Sequence, residues 1–266
     1  MKPILLAISM LTISHIAFAQ NDTINRTDSQ NRKQGYWSKA YPNGKKTYEG
    51  YFINDKPVGE FKRFREDGSL KAIITYNETS TYSKAEFFTT DGKKIAEGYY
   101  SGKDKDSLWQ YYNSNSALSY EERYNKGIKN GRFKQYFDNG KPSETIPYIN
   151  GQIQGTMVQF HQNGLNKSII NFDKGTQHGS IKLFYPNGNI RIDGNYLNGL
   201  KDGEWKFYSE DGQLIETQKF IKGFPENYNQ LVEKESKELE ELLRSAGRIQ
   251  EPTVESFLET MGNRPF

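Results

Sequence analysis

The stretch Gly203–Gly223, GEWKFYSEDGQLIETQKFIKG, decides the fold, because its pattern recurs along the chain at a constant interval. Gly131–Gly155, GRFKQYFDNGKPSETIPYINGQIQG, has the same order of glycine, ring, Asx-Gly pair and second ring. A fixed period of this kind is typical of repeat architectures. Eight repeats of 24 residues fill residues 35–226, and we number their positions from the first residue. The first residues are Gly35, Gly59, Ser83, Ser107, Gly131, Gly155, Gly179 and Gly203.

Positions 9 and 10 of every repeat predict a chain reversal. Asn-Gly and Asp-Gly favour two-residue type I′ turns, because both central residues need positive φ. Each repeat is therefore predicted to be one β-hairpin, and a second turn, which often contains glycine, joins it to the next repeat. The expected fold is all-β: an elongated antiparallel hairpin array of about sixteen short strands. The pairs at positions 9 and 10 are Asn43-Gly44, Asp67-Gly68, Asp91-Gly92, Asn115-Ser116, Asn139-Gly140, Asn163-Gly164, Asn187-Gly188 and Asp211-Gly212.

A two-residue turn also assigns side chains to faces, because opposed positions then sum to nineteen. Position 3, usually a large side chain such as Trp37, Trp109 or Trp205, is predicted to lie opposite position 16, which is often glycine. The same face receives an aromatic residue at position 18 of every repeat, so we expect it to be buried. We assign four aliphatic residues at position 12 to this face as well: Leu70, Leu118, Ile190 and Leu214.

The opposite face is predicted to be polar, with an aromatic residue at position 6 in seven of the eight repeats. Two interpretations remain open for this stripe. It could be a linear binding strip for an extended ligand such as a glycan or peptide. Alternatively, a bulge or strong twist could turn the rings into a second packing layer. The candidate site residues are Phe64, Phe88, Tyr112, Tyr136, Phe160, Phe184 and Tyr208.

The N-terminus predicts export. Residues 1–19 combine a basic Lys2, the apolar stretch from Ile4 to Phe18 and an A-x-A site ending at Ala19, as in a secretory signal peptide. Cleavage near Ala19 would deliver the chain to the periplasm, the cell surface or the medium. The polar residues 20–34 are predicted to be a flexible leader.

Residues 227–266 predict a C-terminal helical cap. Apolar residues at helical spacing begin at Tyr228, and a shorter helix with Phe257 and Met261 at i, i+4 should follow. An open array needs its last edge covered, so capping is the expected role. A helix that binds a partner is the alternative. The first stripe consists of Tyr228, Leu231, Val232, Leu239, Leu242 and Leu243.

Composition and motifs argue against catalysis. The chain has no cysteine, so disulfides and thiol chemistry are excluded. Its net charge of +3 does not demand nucleic acid or an anionic membrane as a partner. No G-x-S-x-G, H-E-x-x-H, P-loop or dinucleotide fingerprint occurs. We expect no cofactor, and we interpret His161 and His178 as surface residues, not a metal site.

The pattern G-x-W-x-x-Y-x-x-N/D-G, followed by an aromatic residue and G-x-x-x-G, resembles the MORN-repeat variant family and its YwqK-like proteins, which are labelled antitoxin components. The clearest copies are the two stretches quoted above. The resemblance implies a β-hairpin array used for protein interaction, with membrane association in some members. We therefore expect an exported, non-catalytic scaffold that binds a protein or a cell-envelope polymer such as a polysaccharide. The alternative is an antitoxin-like or immunity-like inhibitor that masks a toxin or effector.

Overall fold

The computed structural model describes residues 24–77 and 81–246. The chain divides into two compact units, Met1–Ile128 and Lys129–Phe266, here called unit 1 and unit 2. The predicted signal peptide lies outside the described residues, as does the predicted second C-terminal helix. Within each unit the strands form antiparallel hairpins in sequence order, so the all-β hairpin fold is confirmed.

Unit 1 contains nine strands that lie wholly within it. Each pairs with the next in antiparallel orientation. They are β1 (Arg26–Thr27), β2 (Lys33–Ala40), β3 (Lys46–Ile53), β4 (Lys56–Phe64), β5 (Leu70–Tyr76), β6 (Tyr82–Phe88), β7 (Lys94–Ser101), β8 (Asp104–Tyr112) and β9 (Leu118–Asn125).

Unit 2 contains the remaining strands and the helix, and β10 (Ile128–Lys129) falls at the division between the two units. The elements of unit 2 are β11 (Gly131–Tyr136), β12 (Pro142–Ile149), β13 (Gln152–Ile153), β14 (Gly155–Phe160), β15 (Asn166–Asp173), β16 (Thr176–Phe184), β17 (Ile190–Leu197), β18 (Leu200–Lys201), β19 (Gly203–Tyr208), β20 (Leu214–Ile221), β21 (Phe224–Pro225) and α1 (Tyr228–Ala246). Three of the strands in unit 2, β13, β18 and β21, are only two residues long and flank the inter-repeat turns or the array end, as β10 does.

The predicted register holds for the first five positions of each hairpin and then shifts. Trp37 lies opposite Gly50 as expected from a sum of nineteen. Between positions 5 and 6 a β-bulge appears in all eight hairpins, so that position 6 pairs with position 12 and not with 13. In the last hairpin, for example, Tyr208 lies opposite Leu214. Position 13 is the extra residue of the bulge.

The prediction of a type I′ turn at positions 9 and 10 is wrong. In the first repeat only Gly44 has a positive φ, 81°, whereas Asn43 does not. The amide of Gly44 donates to the carbonyl of Tyr41 at 2.9 Å, and the amide of Tyr41 donates to the carbonyl of Lys45 at 2.8 Å. This is a three-residue loop in which a turn is followed by a left-handed glycine. The extra loop residue accompanies the shifted register beside it.

The type I′ turns lie between repeats instead. Asn198 and Gly199 have φ values of 51° and 83°, and they are closed by the pair Leu197 and Leu200. The amide of Gly199 donates at 2.8 Å to the carbonyl of Gln177, which lies in β16 just after the preceding inter-repeat turn. Comparable bonds stack the other inter-repeat turns within each unit, with donors at Asp55, Gly102, Gly127, Gly151, Gly175 and Gly223.

The buried core lies on the face that carries positions 3, 16 and 18, here called the ring face. A Cβ added to Gly98 would lie 2.3 Å from Trp109, and one added to Gly194 would lie 2.5 Å from Trp205. A ring thus lies flat on a glycine, as predicted, but the covering ring comes from the following repeat. The most buried hydrophobic residues include Phe52, Phe61, Ala72, Ala85, Ala96, Trp109, Ile181, Trp205 and Phe220.

The assignment of the position-12 residues to the ring face is wrong. Lys94 occupies position 12 and its ammonium bonds Glu86 and Glu97, at positions 4 and 15, which point away from the rings. The bulge therefore turns position 12 to the face opposite the rings, which we call the outer face. The four aliphatic residues assigned to the ring face, Leu70, Leu118, Ile190 and Leu214, lie opposite position-6 aromatic residues instead.

Both ends of the repeat region differ from expectation. Part of the predicted flexible leader is ordered: Arg26–Thr27 pairs with β2, and the indole of Trp37 donates to the carbonyl of Arg26 at 3.2 Å. At the other end α1 forms as predicted, but the described side chains of Tyr228–Arg244 are exposed. Leu239, for example, is 58% exposed. A cap would bury this stripe against the last hairpin.

Candidate binding face of the repeats

In unit 1 the outer face carries a charged network around a position-6 ring. The hydroxyl of Tyr112 donates to Glu97 at 2.6 Å. The ammonium groups of Lys84 and Lys94 lie 3.0 and 3.2 Å from the same carboxylate. Glu86 bonds Lys94 at 2.7 Å and so links the two strands of the hairpin. The network fixes the tyrosine ring by its hydroxyl while the ring remains half-buried.

The pKa values of Glu97 and Tyr112 are shifted in opposite directions. Burial would raise the pKa of Glu97, but the hydrogen bonds from Tyr112, Lys84 and Lys94 outweigh it and lower the pKa to about 2. Burial, together with the hydrogen bond to the Glu97 carboxylate, raises the pKa of Tyr112 to about 12. Glu97 is therefore ionised and Tyr112 neutral over the physiological range.

An open groove of about 690 Å³ lies on the outer face near the start of unit 1. The rings of Tyr36 and Tyr51 form its wall, with centres 5.4 Å apart in an edge-on arrangement. Glu49 accepts a hydrogen bond from Tyr36 at 2.7 Å, and Glu60 and Lys62 also line the groove. Aromatic surface beside fixed carboxylates and an ammonium suits a polar chain with exposed apolar parts.

In unit 2 the outer face is less charged. Lys182 and Asp193 form an ion pair of 3.0 Å across a hairpin. A recess of about 430 Å³ that Phe184 helps to line lies on the ring face instead, because Gln159, Ser168 and Leu183 at positions 5 and 14 also line it. Phe160 and Tyr208 occupy the corresponding bulge positions of the neighbouring hairpins and are half-buried. The outer face of unit 2 thus carries position-6 rings at a constant repeat interval.

The structure shows where the predicted stripe of position-6 rings lies, but its role in binding or in packing stays a prediction. All seven rings are half-buried, and all seven lie at the bulge beside the hairpin tip. A bulge is the structural feature that the packing interpretation invoked. The hydrogen bond from Tyr112 to Glu97 places that ring on the outer face, as the binding interpretation requires. The bulge positions are Phe64, Phe88 and Tyr112 in unit 1, and Tyr136, Phe160, Phe184 and Tyr208 in unit 2.

The sequence reasoning missed a set of lysines that cover the ring face. The ammonium of Lys201 lies 4.4 Å from the centre of the Trp205 ring and 4.6 Å from that of Phe220, within cation–π range. Each of these lysines lies two residues before the first residue of a repeat with Trp or Phe at position 3, which is position 23 wherever another repeat precedes it. That recurrence was the signal available in the sequence. The others are Lys33, Lys105 and Lys129.

A second unexpected feature is a buried carboxylate on the ring face of unit 1. Glu122 is 8% exposed at position 16, where other repeats mostly have glycine or isoleucine. It accepts a hydrogen bond from Tyr124 at 2.7 Å. Burial and the nearby Glu122 carboxylate raise the pKa of Tyr111, whose hydroxyl contacts the ammonium of Lys105 at 2.6 Å. The position-16 pattern alone did not indicate this polar substitution.

The histidines have structural partners. His161 follows β14 directly, and its Nε2 lies 3.1 Å from the carbonyl of Phe184, where Tyr185 makes the equivalent contact to Tyr208 in the next repeat. His178 lies in β16, and its Nδ1 is 3.2 Å from the side-chain oxygen of Asn198. Within residues 24–77 and 81–246, no group of three His, Asp or Glu residues could hold a metal ion. Nor does a described helix have the length and apolar character to cross a membrane.

Four segments of the chain, residues 57–78, 129–150, 177–198 and 201–222, match the family model of the MORN repeat variant. Each segment starts within two residues of the beginning of the first strand of a hairpin and ends just after its second strand. No curated protein sequence matches the chain.

Among solved structures, the chain is similar to TarM of S. aureus. A mutant TarM in complex with Fondaparinux, alpha-GlcNAc-glycerol and UDP is 18% identical, with a TM-score of 0.29, over 36% of this chain and 19% of that chain. A second TarM structure is 19% identical, with a TM-score of 0.28, over 37% of this chain and 19% of that chain. The similar part thus spans about a fifth of the TarM chain.

Proposed function

We propose that this protein is an exported, non-catalytic scaffold that binds an extended partner, a protein or a cell-envelope polymer, across the outer face of its repeats. The observation that carries the proposal is the placement of a half-buried ring at the bulge in seven of the eight hairpins, opposite position 12 and, around Tyr112, beside charged side chains. A linear ligand would meet such a ring at each successive hairpin within a unit.

The chemistry of the outer face supports a polar chain as ligand. Rings offer apolar surface without demanding complete desolvation, and the adjacent carboxylates and ammonium groups can hydrogen-bond a peptide or a sugar. The match to the MORN repeat variant also supports binding, since MORN repeats generally bind proteins or membranes. The signal-like residues 1–19 support export.

The test is affinity capture of partners from cell-envelope extracts, followed by variants of unit 2. We expect Phe160→Ala with Phe184→Ala to weaken capture at least tenfold while the melting temperature falls by only a few degrees, because both rings are half-buried. Ile181→Ala on the ring face is the matched control, and it should lower the melting temperature and leave capture intact at low temperature. Loss of folding without a specific loss of capture by the double variant would favour the packing interpretation.

A second candidate function is masking of a toxin or effector, as the antitoxin-labelled resemblance implies. The exposed helix α1 favours it, because an acidic helix with an unburied apolar stripe suits a basic, apolar groove on a partner. Its described part carries five glutamates against two lysines and one arginine. Co-expression with a toxic domain encoded by a neighbouring gene tests this function: protection that is lost on deletion of residues 227–266 supports it, and absence of protection contradicts it.

A further inference from the structure

The last long strand of unit 2 is β20, and the backbone groups of its outward edge are free over part of its length. In the inner hairpins, position 15 pairs with position 4 of the next repeat. In β20 this position is Thr217, which pairs with Lys206 on its inner side, and no strand within the described residues pairs with its outward side. Only the far end is covered, where Glu226 donates its amide to Lys219 and β21 pairs with Phe220 and Ile221. The inner pairs in unit 2 are Thr145 with Val158, Ile169 with Lys182, and Asp193 with Lys206.

The first full strand of unit 1 differs, because its outward edge is occupied. β1 pairs with Gln34 and Lys33 of β2. Asn25 then donates its amide to the carbonyl of Tyr36 at 3.0 Å, and its side chain accepts the amide of Ser38 at 2.9 Å. Residues 25–27 therefore take the backbone groups that a further strand would need. This cover blocks open-ended pairing of β20 from one copy with β2 of another.

The free edge of β20 lies beside exposed apolar side chains. Leu214 and Ile215 at the start of the strand are 56% and 69% exposed. At its end the ring of Phe224 lies 4.9 Å from that of Tyr228, so the apolar surface continues into α1. A monomer rarely leaves an apolar patch of this size uncovered. The exposed members are Leu214, Ile215, Ile221, Phe224, Tyr228, Leu231 and Val232.

We propose that β20 pairs with β20 of a second copy of this chain and so forms a symmetric antiparallel dimer. The free edge can form hydrogen bonds only with another free edge, and among the described strands the opposite end, β2, is covered. A twofold axis at Thr217 sets that residue opposite itself and Glu216 opposite Gln218 of the other copy. No like charges are then opposed, and a Thr–Thr pair is a favourable cross-strand contact.

The apolar patch is large enough to support such a dimer. Its seven side chains together expose on the order of 600–800 Å² per copy, close to the roughly 800 Å² that each partner contributes to a standard stable interface. The pairing also closes on itself, because an isologous contact uses the same surface on both copies. It uses the edge of the sheet and, on the outer face, only Leu214 of the last hairpin, so the outer face of the inner repeats stays free for the ligand proposed above.

The first experiment is sedimentation equilibrium of the purified chain over a range of concentrations. We expect a reversible equilibrium between a species of 30.7 kDa and one of twice that mass. A chain that stays monomeric at 100 μM contradicts the proposal. Open-ended growth beyond the dimer also contradicts it, because that would require head-to-tail pairing.

The decisive variant is Thr217→Pro. Proline is tolerated where the strand amide faces outward, so the monomer should keep its circular dichroism spectrum and its melting temperature at low concentration. Dimerisation should weaken at least thirtyfold, because the ring removes the central donor. Thr145→Pro at the same position of an inner repeat is the control, and it should destabilise the fold. A Thr217→Pro variant that still forms the dimer overturns the proposal.

A second variant decides the matter should Thr217→Pro fail to fold. Ile215→Lys places a charge on the exposed patch, and we expect it to weaken the dimer at least tenfold with the monomer intact. Ile95→Lys, at the same repeat position inside unit 1 and 38% exposed, should leave the dimer unchanged. Equal effects of the two variants would overturn the assignment of the interface to β20. Ligand capture through the outer face is measured separately and does not affect this outcome.

Discussion

The ring face and the outer face are made by alternate residues of the same strands, yet they are stabilised in different ways. On the ring face, Trp109 lies flat on Gly98 and is 2% exposed, so shape and apolar contact dominate. On the outer face, Glu97 is the direct neighbour of that glycine and is held by two lysines and a tyrosine. Stability is thus concentrated on one face, which leaves the other face available for binding.

The largest expected effect is the loss of a central ring. Trp205→Ala should lower the free energy of unfolding by about 3–5 kcal/mol, because a 3% exposed ring packed against Tyr196 and Phe220 is removed. Denaturant unfolding followed by far-ultraviolet circular dichroism measures it. Tyr51→Ala, a 50% exposed ring on the outer face, should cost less than about 1 kcal/mol. Similar costs for both variants would remove the distinction between the faces.

Adding one methyl group to the ring face should also destabilise the fold. A Cβ at position 98 would lie 2.3 Å from Trp109, so Gly98→Ala should cost about 2–3 kcal/mol. The cost should largely disappear in a Trp109→Ala background, which a double-mutant cycle measures. Gln218→Ala at the same repeat position is the control, with an expected cost below about 1 kcal/mol. A neutral Gly98→Ala would mean that the ring does not rest on the backbone.

The outer face predicts a pH dependence. The folded pKa of Glu97 is about 2, below its ordinary value of 4.5, so its contribution is present above about pH 4.5 and is lost as the pH falls toward 2. Glu97→Gln should therefore cost on the order of 2 kcal/mol at pH 7 and flatten the stability profile between pH 5 and pH 2. Thermal unfolding of both proteins across this range measures the difference. A variant whose profile keeps the slope of the wild-type chain contradicts the network.

The lysines over the rings should contribute least. Lys201→Met keeps the aliphatic stem and removes the charge above Trp205 and Phe220, so we expect a loss of about 1 kcal/mol. Lys206→Met on the outer face, paired with the exposed Glu204, should change stability by less than about 0.5 kcal/mol. Chemical denaturation at low and high salt compares the two. No difference between them would show that the ring face gains nothing from its lysines.

The sequence predicted one hairpin per repeat and the identity of the buried rings, because hairpin reversal and alternation of side chains are local properties of a strand. It did not predict the type of turn. Asn43 supplies a side-chain acceptor to the amide of Lys45 and a donor to the carbonyl of Glu66 in the next repeat, instead of a positive φ. The second contact is not visible in a single hairpin, so the Asn-Gly pair alone favoured the wrong turn.

The sequence predicted which rings belong to the candidate site, but it did not predict how they are arranged or which residues they contact. The rings at position 6 followed from the repeat period, whereas their partners at position 12 depended on a bulge that shifts the register by one residue. The groove beside Tyr36 and Tyr51 was missed, because those two residues are 15 apart and meet only through pairing of β2 with β3. The absence of burial along α1 was also unforeseen, since an amphipathic pattern predicts a helix and does not identify what covers it.

By itself the sequence determined the 24-residue period, the two reversals per repeat and the placement of positions 3, 16 and 18 on the ring face, because these depend on spacing and on backbone preferences within a few residues. Only the tertiary structure decided which reversal is the type I′ turn, which repeat supplies the ring over each glycine and where the lysines of position 23 lie. Those features depend on contacts between neighbouring hairpins, where a shift of one residue in register moves a side chain to the other face.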